Sequence, residues 1–179
     1  GTGKPLRDFE IAGKVRFAAN EKNITGDFFR YPIANPYPVV QIIAGYGIPG
    51  FGKSDYRYWR LGADISGKTS LKRLGSLRYG IFAERYFGKL PFAFLGNLNG
   101  NDGYYFNSNA NNLMYRFEYL ADRYAGFKLE HNVGQGIFRL TGFTRKLKWT
   151  QFWNLRTTWS DLSSENKIFN QSGNYFKTL

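Results

Sequence analysis

Apolar and charged residues alternate along several segments of this chain. Between residues 122 and 131, apolar side chains such as Phe127 and Leu129 occupy odd positions, and charged side chains such as Lys128 and Glu130 occupy even ones. Successive side chains of a β-strand point to opposite faces of a sheet, whereas the 3.6-residue period of a helix would mix the two sets. The pattern therefore predicts strands that have one apolar wall and one polar wall.

The same alternation predicts about seven strands. They are residues 9–17, 39–44, 58–65, 77–84, 113–119, 125–133 and 148–159. Proline, glycine and asparagine interrupt the pattern at residues 20–36, which we predict to be a loop. Residues 88–112 are rich in asparagine and form the longest predicted connection, of the kind that is functional or mobile when it lies outside a scaffold.

The composition favours a membrane barrel over a soluble protein with a mixed helix and sheet core. Aromatic residues make up 19% of the 179 residues and glycines number 21, while the mean hydropathy is −0.45. A barrel presents its lipid-facing band through every second residue of many strands, so no long apolar run is needed. We predict an all-β fold, an antiparallel transmembrane β-barrel, of which about seven or eight strands are visible in this chain.

Several short segments together resemble a known family. They are Asn20-Glu21, Gly26-Asp27-Phe28-Phe29-Arg30, Ser54-Asp55-Tyr56-Arg57-Tyr58, Gly88-Lys89-Leu90-Pro91-Phe92-Ala93-Phe94-Leu95, Asn112-Leu113-Met114, Asp122-Arg123-Tyr124, Glu130-His131, Arg145-Lys146-Leu147-Lys148-Trp149 and Asn166. The chain resembles the C-terminal β-barrel region of Bacteroidota outer-membrane proteins that carry an N-terminal carboxypeptidase-like regulatory domain, a barrel distantly similar to BamA-like assembly barrels. The resemblance implies that residues 1–179 are part of one outer-membrane β-barrel domain. It also implies that the regulatory domain upstream and the closing strands downstream lie outside this chain.

Charges on the even-numbered side of the predicted strands form the candidate site. We expect them to line the lumen as a polar network; they are Arg16, Arg60, Asp64, Arg78, Glu84, Arg116, Glu118, Lys128, Glu130 and Arg156. A lumen with excess positive charge could favour anions, and the plain alternative is a structural plug of salt bridges. The signature residues Asp122, Arg123 and Tyr124 are predicted to form a tight connection whose Asp and Arg satisfy backbone groups and each other.

Other motifs have simpler explanations. Residues 47–54 match the P-loop pattern and residues 45–50 match the dinucleotide fingerprint, but alternation resumes after Ser54 where a P-loop requires a helix. A glycine-rich hairpin loop explains both matches. His131 adjoins Glu130, which suggests a hydrolase triad, but adjacent strand residues face opposite ways. The sequence thus predicts no catalytic residue, no cofactor and no metal ligand.

The charge balance narrows the choice of partner. The formal net charge is +12, which favours anionic partners. Nucleic acid is disfavoured because Trp153 and Trp159 fall on the face opposite Arg156, whereas a stacking groove needs aromatic rings and cations together. We expect the partners to be outer-membrane lipid and lipopolysaccharide, with other outer-membrane proteins in a complex as further candidates.

The leading functional prediction is a non-enzymatic scaffold in the bacterial outer membrane, which acts in assembly, export or transport at the cell surface. Two alternatives stay open at this point. One is an outer-membrane enzyme such as a lipid hydrolase. The other is a soluble β-sandwich or lipocalin-like binding module, because alternation alone does not determine which face meets solvent.

Overall fold

The computed structural model describes residues 5–35, 37–107, 110–139 and 142–172. Ten strands, two α-helices and four short 3-10 helices are assigned in these ranges. The strands are β1 (Glu10–Ala18), β2 (Lys22–Thr25), β3 (Arg30–Ala34), β4 (Val39–Gly47), β5 (Tyr58–Ser70), β6 (Ser76–Phe87), β7 (Gly96–Asn97), β8 (Leu120–Ala121), β9 (Arg123–Gly134) and β10 (Gln151–Asp161). The α-helices are α1 (Gly142–Lys146) and α2 (Ser164–Ser172). The prediction of an all-β fold is confirmed in that antiparallel strands dominate the described part of the chain.

Six strands form one antiparallel sheet in the order β1-β4-β5-β6-β9-β10. Its connections alternate between two ends. Residues 19–38, 71–75 and 135–150 connect strands at one end, which we call the hairpin end. Residues 48–57 and 88–122 connect them at the other, the loop end, where α2 also follows β10. Within the described ranges, β1 and β10 are the two edges of this sheet.

The two faces of the sheet differ in chemistry, as the alternation predicts. One face, the apolar face, presents large hydrophobic side chains whose exposed fractions run from 40% for Phe87 to 69% for Val15. Its exposed members include Ile11, Val15, Phe17, Ile42, Trp59, Leu61, Ile65, Ile81, Phe87, Trp153, Leu155 and Trp159. The opposite face, the polar face, holds most of the charged residues of the same strands, whereas Arg85, Arg123 and Asp161 lie on the apolar face near its loop end. The sheet thus exposes the face that a soluble protein would bury.

The buried core is small and lies at the loop end. Tyr58, Leu90 and Leu95 form its centre, and the partly buried Tyr86 and Leu162 pack against them. The residues come from β5, β6, the long 88–122 connection and the segment before α2. The core therefore attaches the long connection to one end of the sheet and does not lie between two layers.

The structure corrects the predicted element list at two places. Residues 113–119 are not a strand: the backbone turns there, with a positive φ of 62° at Phe117, and Met114 O accepts a hydrogen bond from Asn101 N at 2.8 Å. The alternating Leu113 and Tyr115 are instead exposed side chains of the long connection. Residues 20–36, predicted as a loop, contain the β2–β3 hairpin. The main sheet therefore has six strands in the described ranges where we expected seven.

Helices contribute little to this fold. The longest described helix is α2, with nine residues. None of the helices in the described part of the chain has the length and apolar character required to cross a bilayer.

The β5–β6 turn depends on a glycine. Gly75 has a φ of +86°, and a Cβ at this position would lie 1.9 Å from the backbone oxygen of Asn132 on β9. We expect Gly75→Ala to lower the free energy of unfolding by about 1–3 kcal/mol because the backbone is strained and the strand ends are pushed apart. Gly13→Ala on β1 is the matched control, since its Cβ would meet nothing within 4 Å. Denaturant unfolding of both variants measures the difference, and equal effects would refute this role of Gly75.

Candidate functional site

A cluster of charges and hydroxyls lies on the polar face near the loop end. Arg60 on β5 lies between two carboxylates: its Nε donates a hydrogen bond to Glu84 Oε1, and its Nη1 lies 3.8 Å from Glu10 Oε1. Tyr124 on β9 donates its hydroxyl hydrogen to Glu84 Oε2 at 2.5 Å. The Glu84 side chain is only 14% exposed, so this pairing compensates for its desolvation.

Tyr58 extends this cluster to the first strand. Its side chain is buried, and its hydroxyl oxygen lies 2.7 Å from both Asp8 Oδ2 and Glu10 Oε2. A hydroxyl has one hydrogen, so Tyr58 can donate to only one of the two carboxylates at a time. The ring fits because its neighbour in the ladder is Gly47, where a Cβ would lie 2.3 Å from the ring. The contact with Tyr58 therefore explains why residue 47 is a glycine, without the cofactor that the dinucleotide fingerprint would imply.

The centre of the polar face is concave. A cavity of about 280 Å³ is lined by residues of five strands, among them Lys14, Gln41, Asp64, Glu84 and Tyr124. Charges of both signs border it. The arrangement is able to hold polar solutes or ordered water but presents no nucleophile with an activating base.

Two ion pairs lie toward the hairpin end. Arg78 Nη1 lies 3.0 Å from Glu130 Oε1, and Arg16 Nη2 lies 2.5 Å from Glu21 Oε1. The hydrogen bond from Arg16 lowers the pKa of the Glu21 carboxyl. Both pairs are partly exposed, and exposed pairs contribute little to stability. They fix side-chain positions on the polar face without forming a core.

The charged residues predicted to form one polar network lie instead in several separate groups. Arg60 and Glu84 contact each other, Arg78 contacts Glu130, and Asp64 lines the central cavity. Lys128 and Arg156 are direct neighbours across β9 and β10. Arg116 and Glu118 are outside the main sheet, because residues 113–119 are not a strand. There, Arg116 Nε lies 3.7 Å from Asp102 Oδ2, and Glu118 accepts a hydrogen bond from the backbone N–H of Tyr115.

The signature residues Asp122, Arg123 and Tyr124 have three separate roles, so the prediction of a self-contained tight connection is wrong in part. Asp122 is buried and accepts a hydrogen bond from the backbone N–H of Ser163 at 3.0 Å. Arg123 pairs with Asp161 across β9 and β10 and not with Asp122. Arg123 and Tyr124 already belong to β9. Asp122 does satisfy a backbone group, as predicted, but in a different segment.

Asn166 and Asn170 on α2 were not predicted as site residues. Both are buried, at 2% and 0% exposed. Asn166 Oδ1 accepts a hydrogen bond from Leu90 N at 2.9 Å, and its Nδ2 donates to Asp122 Oδ2 at 2.8 Å and to Gly88 O at 3.1 Å. Asn170 Nδ2 donates to Leu90 O at 2.9 Å. The two amides connect α2 to the start of the long connection. The sequence signal that pointed to Asn166 was its place among the segments on which the family resemblance rests.

The P-loop match and His131 have structural explanations. The residues after Ser54 lead into β5, which confirms the predicted strand, and Ser54 Oγ lies 3.4 Å from Asp8 Oδ1, a neighbour that would repel phosphate. His131 Nε2 lies 2.8 Å from Leu74 O. Its cross-strand partners on both sides are apolar, whereas Glu130 pairs with Arg78 on the polar face. Glu130 and His131 therefore face opposite ways, as the alternation predicts.

Comparisons with known proteins give one match. Residues 5–165 match the model of the C-terminal domain of a family of unknown function, DUF5686. No curated protein and no solved structure matches the chain.

The Asn166 amide provides a test of how the loop end is held together. We expect Asn166→Ala to lower the free energy of unfolding by about 1–3 kcal/mol, because Leu90 N and Asp122 Oδ2 lose a buried partner. Hydrogen exchange at the Leu90 amide should accelerate. Lys167→Ala, one residue along the same helix and exposed, is the control and should have little effect. Equal losses for the two variants would contradict the proposed role of Asn166.

Proposed function

The chain belongs to the C-terminal domain of this family of unknown function, and from that starting point we propose that it forms part of an antiparallel transmembrane β-barrel in the bacterial outer membrane. It acts there as a non-enzymatic scaffold for assembly, export or transport at the cell surface. The observation on which the proposal rests is the exposed apolar face of the main sheet.

An exposed apolar sheet face is costly in water. Side chains such as Val15 and Leu155 are 69% and 53% exposed on this face, whereas charged pairs such as Arg60–Glu84 occupy the opposite one. Contiguous apolar patches larger than a few hundred Å² are rare on soluble monomers and mark a binding surface. Lipid acyl chains would cover this face without any second protein layer, which favours a membrane location.

Aromatic side chains at both ends of the apolar face support the same proposal. At the loop end, the rings of Tyr46 and Trp59 are 4.5 Å apart, and Phe87 is the cross-strand neighbour of Trp59. Toward the hairpin end lies Tyr79, opposite Gly67 on β5. The eight residue-to-residue steps from position 59 to position 67 span about 26 Å along the strand, close to the height of the apolar band in known barrels.

The charge distribution supports anionic lipid as the partner. Residues 19–38, 66–80 and 128–150, at the hairpin end, contain eleven basic and three acidic residues, whereas residues 48–57 and 88–122, at the loop end, contain four of each. Within the first set, the exposed Arg145, Lys146 and Lys148 lie between the exposed Phe143 and Trp149 in the sequence. Cations beside aromatic rings suit the phosphate groups of lipids or lipopolysaccharide at a membrane surface.

The two sheet edges support assembly with further strands. Each edge strand has a row of backbone N–H and C=O groups, and unpaired edges promote association. In hydrocarbon these groups must be satisfied by other strands. Additional strands of the same barrel or of another outer-membrane protein would satisfy β1 and β10.

Adjacent residues on β10 test the membrane assignment. Leu155 is on the apolar face, and Asn154 is on the polar face opposite Glu130. In liposomes, Leu155→Arg should lower the free energy of unfolding by about 2–4 kcal/mol, because the arginine faces hydrocarbon. Asn154→Arg should have much less effect, because Glu130 is able to pair with it. If both variants lost the same stability, or if the wild-type chain unfolded identically without lipid or detergent, the proposal would fail.

A further inference from the structure

A second cavity lies where the long connection covers β9 and β10. It has a volume of about 200 Å³, and its wall includes Phe82, Asn97, Asn111, Arg156 and Thr158. The strands supply one side of it, and residues 97–99 and 111 of the connection supply the other. Groups from two distant parts of the chain thus enclose one space.

Two buried hydrogen-bonding atoms of this wall lack a partner within the described residues. They are Arg156 Nε and Thr158 Oγ1. The Arg156 guanidinium lies over the ring of Phe82, with Cζ 5.5 Å from the centroid, and no described carboxylate comes within 4.0 Å of it. A buried donor without an acceptor costs on the order of 1–3 kcal/mol, so the cavity favours an occupant that accepts hydrogen bonds.

The positive charges near the cavity favour an occupant that carries a negative charge. Lys128 is the direct cross-strand neighbour of Arg156, and no described carboxylate pairs with it. Two like charges opposite each other on one sheet face destabilise the pair of strands. An anion between or beside them would remove the repulsion. Arg60 and Arg78 on the same face have carboxylate partners, whereas Lys14 and Lys68 have no such partner among the described residues but do not line this cavity.

The remaining wall residues suit an oxyanion. Asn97 Oδ1 accepts a hydrogen bond from the Phe117 backbone N–H, which leaves its amide N–H groups as donors. A guanidinium, a hydroxyl and an amide together donate to several oxygens of one group, as phosphate requires. The cavity volume exceeds that of inorganic phosphate and leaves room for a small organic substituent beside Phe82 and Tyr124.

We propose that this cavity binds a phosphate group, either free or as a phosphate monoester of a small organic molecule, with Arg156 as its principal ligand. Lys128 does not line the cavity and acts only as a neighbouring positive charge. The site goes beyond the scaffold function proposed above. It lies on the polar face, so it does not depend on what covers the apolar face, and the two proposals can fail separately.

The test uses the purified full chain in detergent micelles, with calorimetry and thermal unfolding in inorganic phosphate, in glycerol 3-phosphate and in chloride of equal ionic strength. We expect either phosphate probe, and not chloride, to bind and to raise the melting temperature. Arg156→Gln should weaken that binding about 10- to 100-fold, because a charge-assisted hydrogen bond is lost. Arg78→Gln is the control: it removes a cation of the same face that does not line this cavity. It should leave binding unchanged.

Tighter binding of inorganic phosphate would identify a free anion as the ligand, and tighter binding of glycerol 3-phosphate would identify a monoester. Thr158→Val preserves the charge and the fold, so it tests the site even if Arg156→Gln does not fold; it should weaken binding several-fold. The absence of binding, equal effects of chloride, or wild-type affinity in both cavity variants would overturn the proposal.

Discussion

The register of six antiparallel strands is the constraint on which the other features depend. Cross-strand pairing aligns Val15, Ile42, Ala63, Ala83, Ala125 and Trp159 in one row on the apolar face. The adjacent row on the polar face includes Lys14, Glu84 and Tyr124. A slip of one residue in any strand would exchange its two faces and place charges among hydrocarbon side chains. The register keeps apolar and charged side chains on separate faces, and the cost of mixing them in turn stabilises the register.

This segregation explains why the conventional core is so small. Most of the large apolar side chains of the sheet point to the exposed face, so little hydrophobic surface remains for burial at the other one. The loop end is held instead by the Asn166 and Asn170 amides together with Tyr58 and Leu90. Such a chain gains much of its stability from whatever covers the apolar face. We propose that lipid does so.

The sequence predicted the sheet well, and it predicted contacts across the sheet poorly. Alternation identifies which residues of β1, β5, β6 and β9 share a face, because that depends only on neighbouring residues. It gave a false strand at residues 113–119, because exposed aromatic side chains of a loop happen to alternate. Which charges meet depends on register: Arg60 and Glu84 are 24 residues apart, and Arg78 and Glu130 are 52 apart. The buried amides of α2 were missed because asparagine is usually exposed.

The most direct test is a nitroxide scan along β6 in lipid vesicles. The chain has no cysteine, so single cysteines placed from Leu77 to Phe87 can each be labelled without a background signal. The account predicts that labels at odd positions such as 79, 81 and 83 contact oxygen dissolved in the bilayer. Labels at even positions such as 78, 82 and 84 should collide less often with oxygen and more often with a water-soluble relaxation reagent. Loss of this alternation, or access of the water-soluble reagent to position 81, would contradict the claim that the apolar face meets lipid.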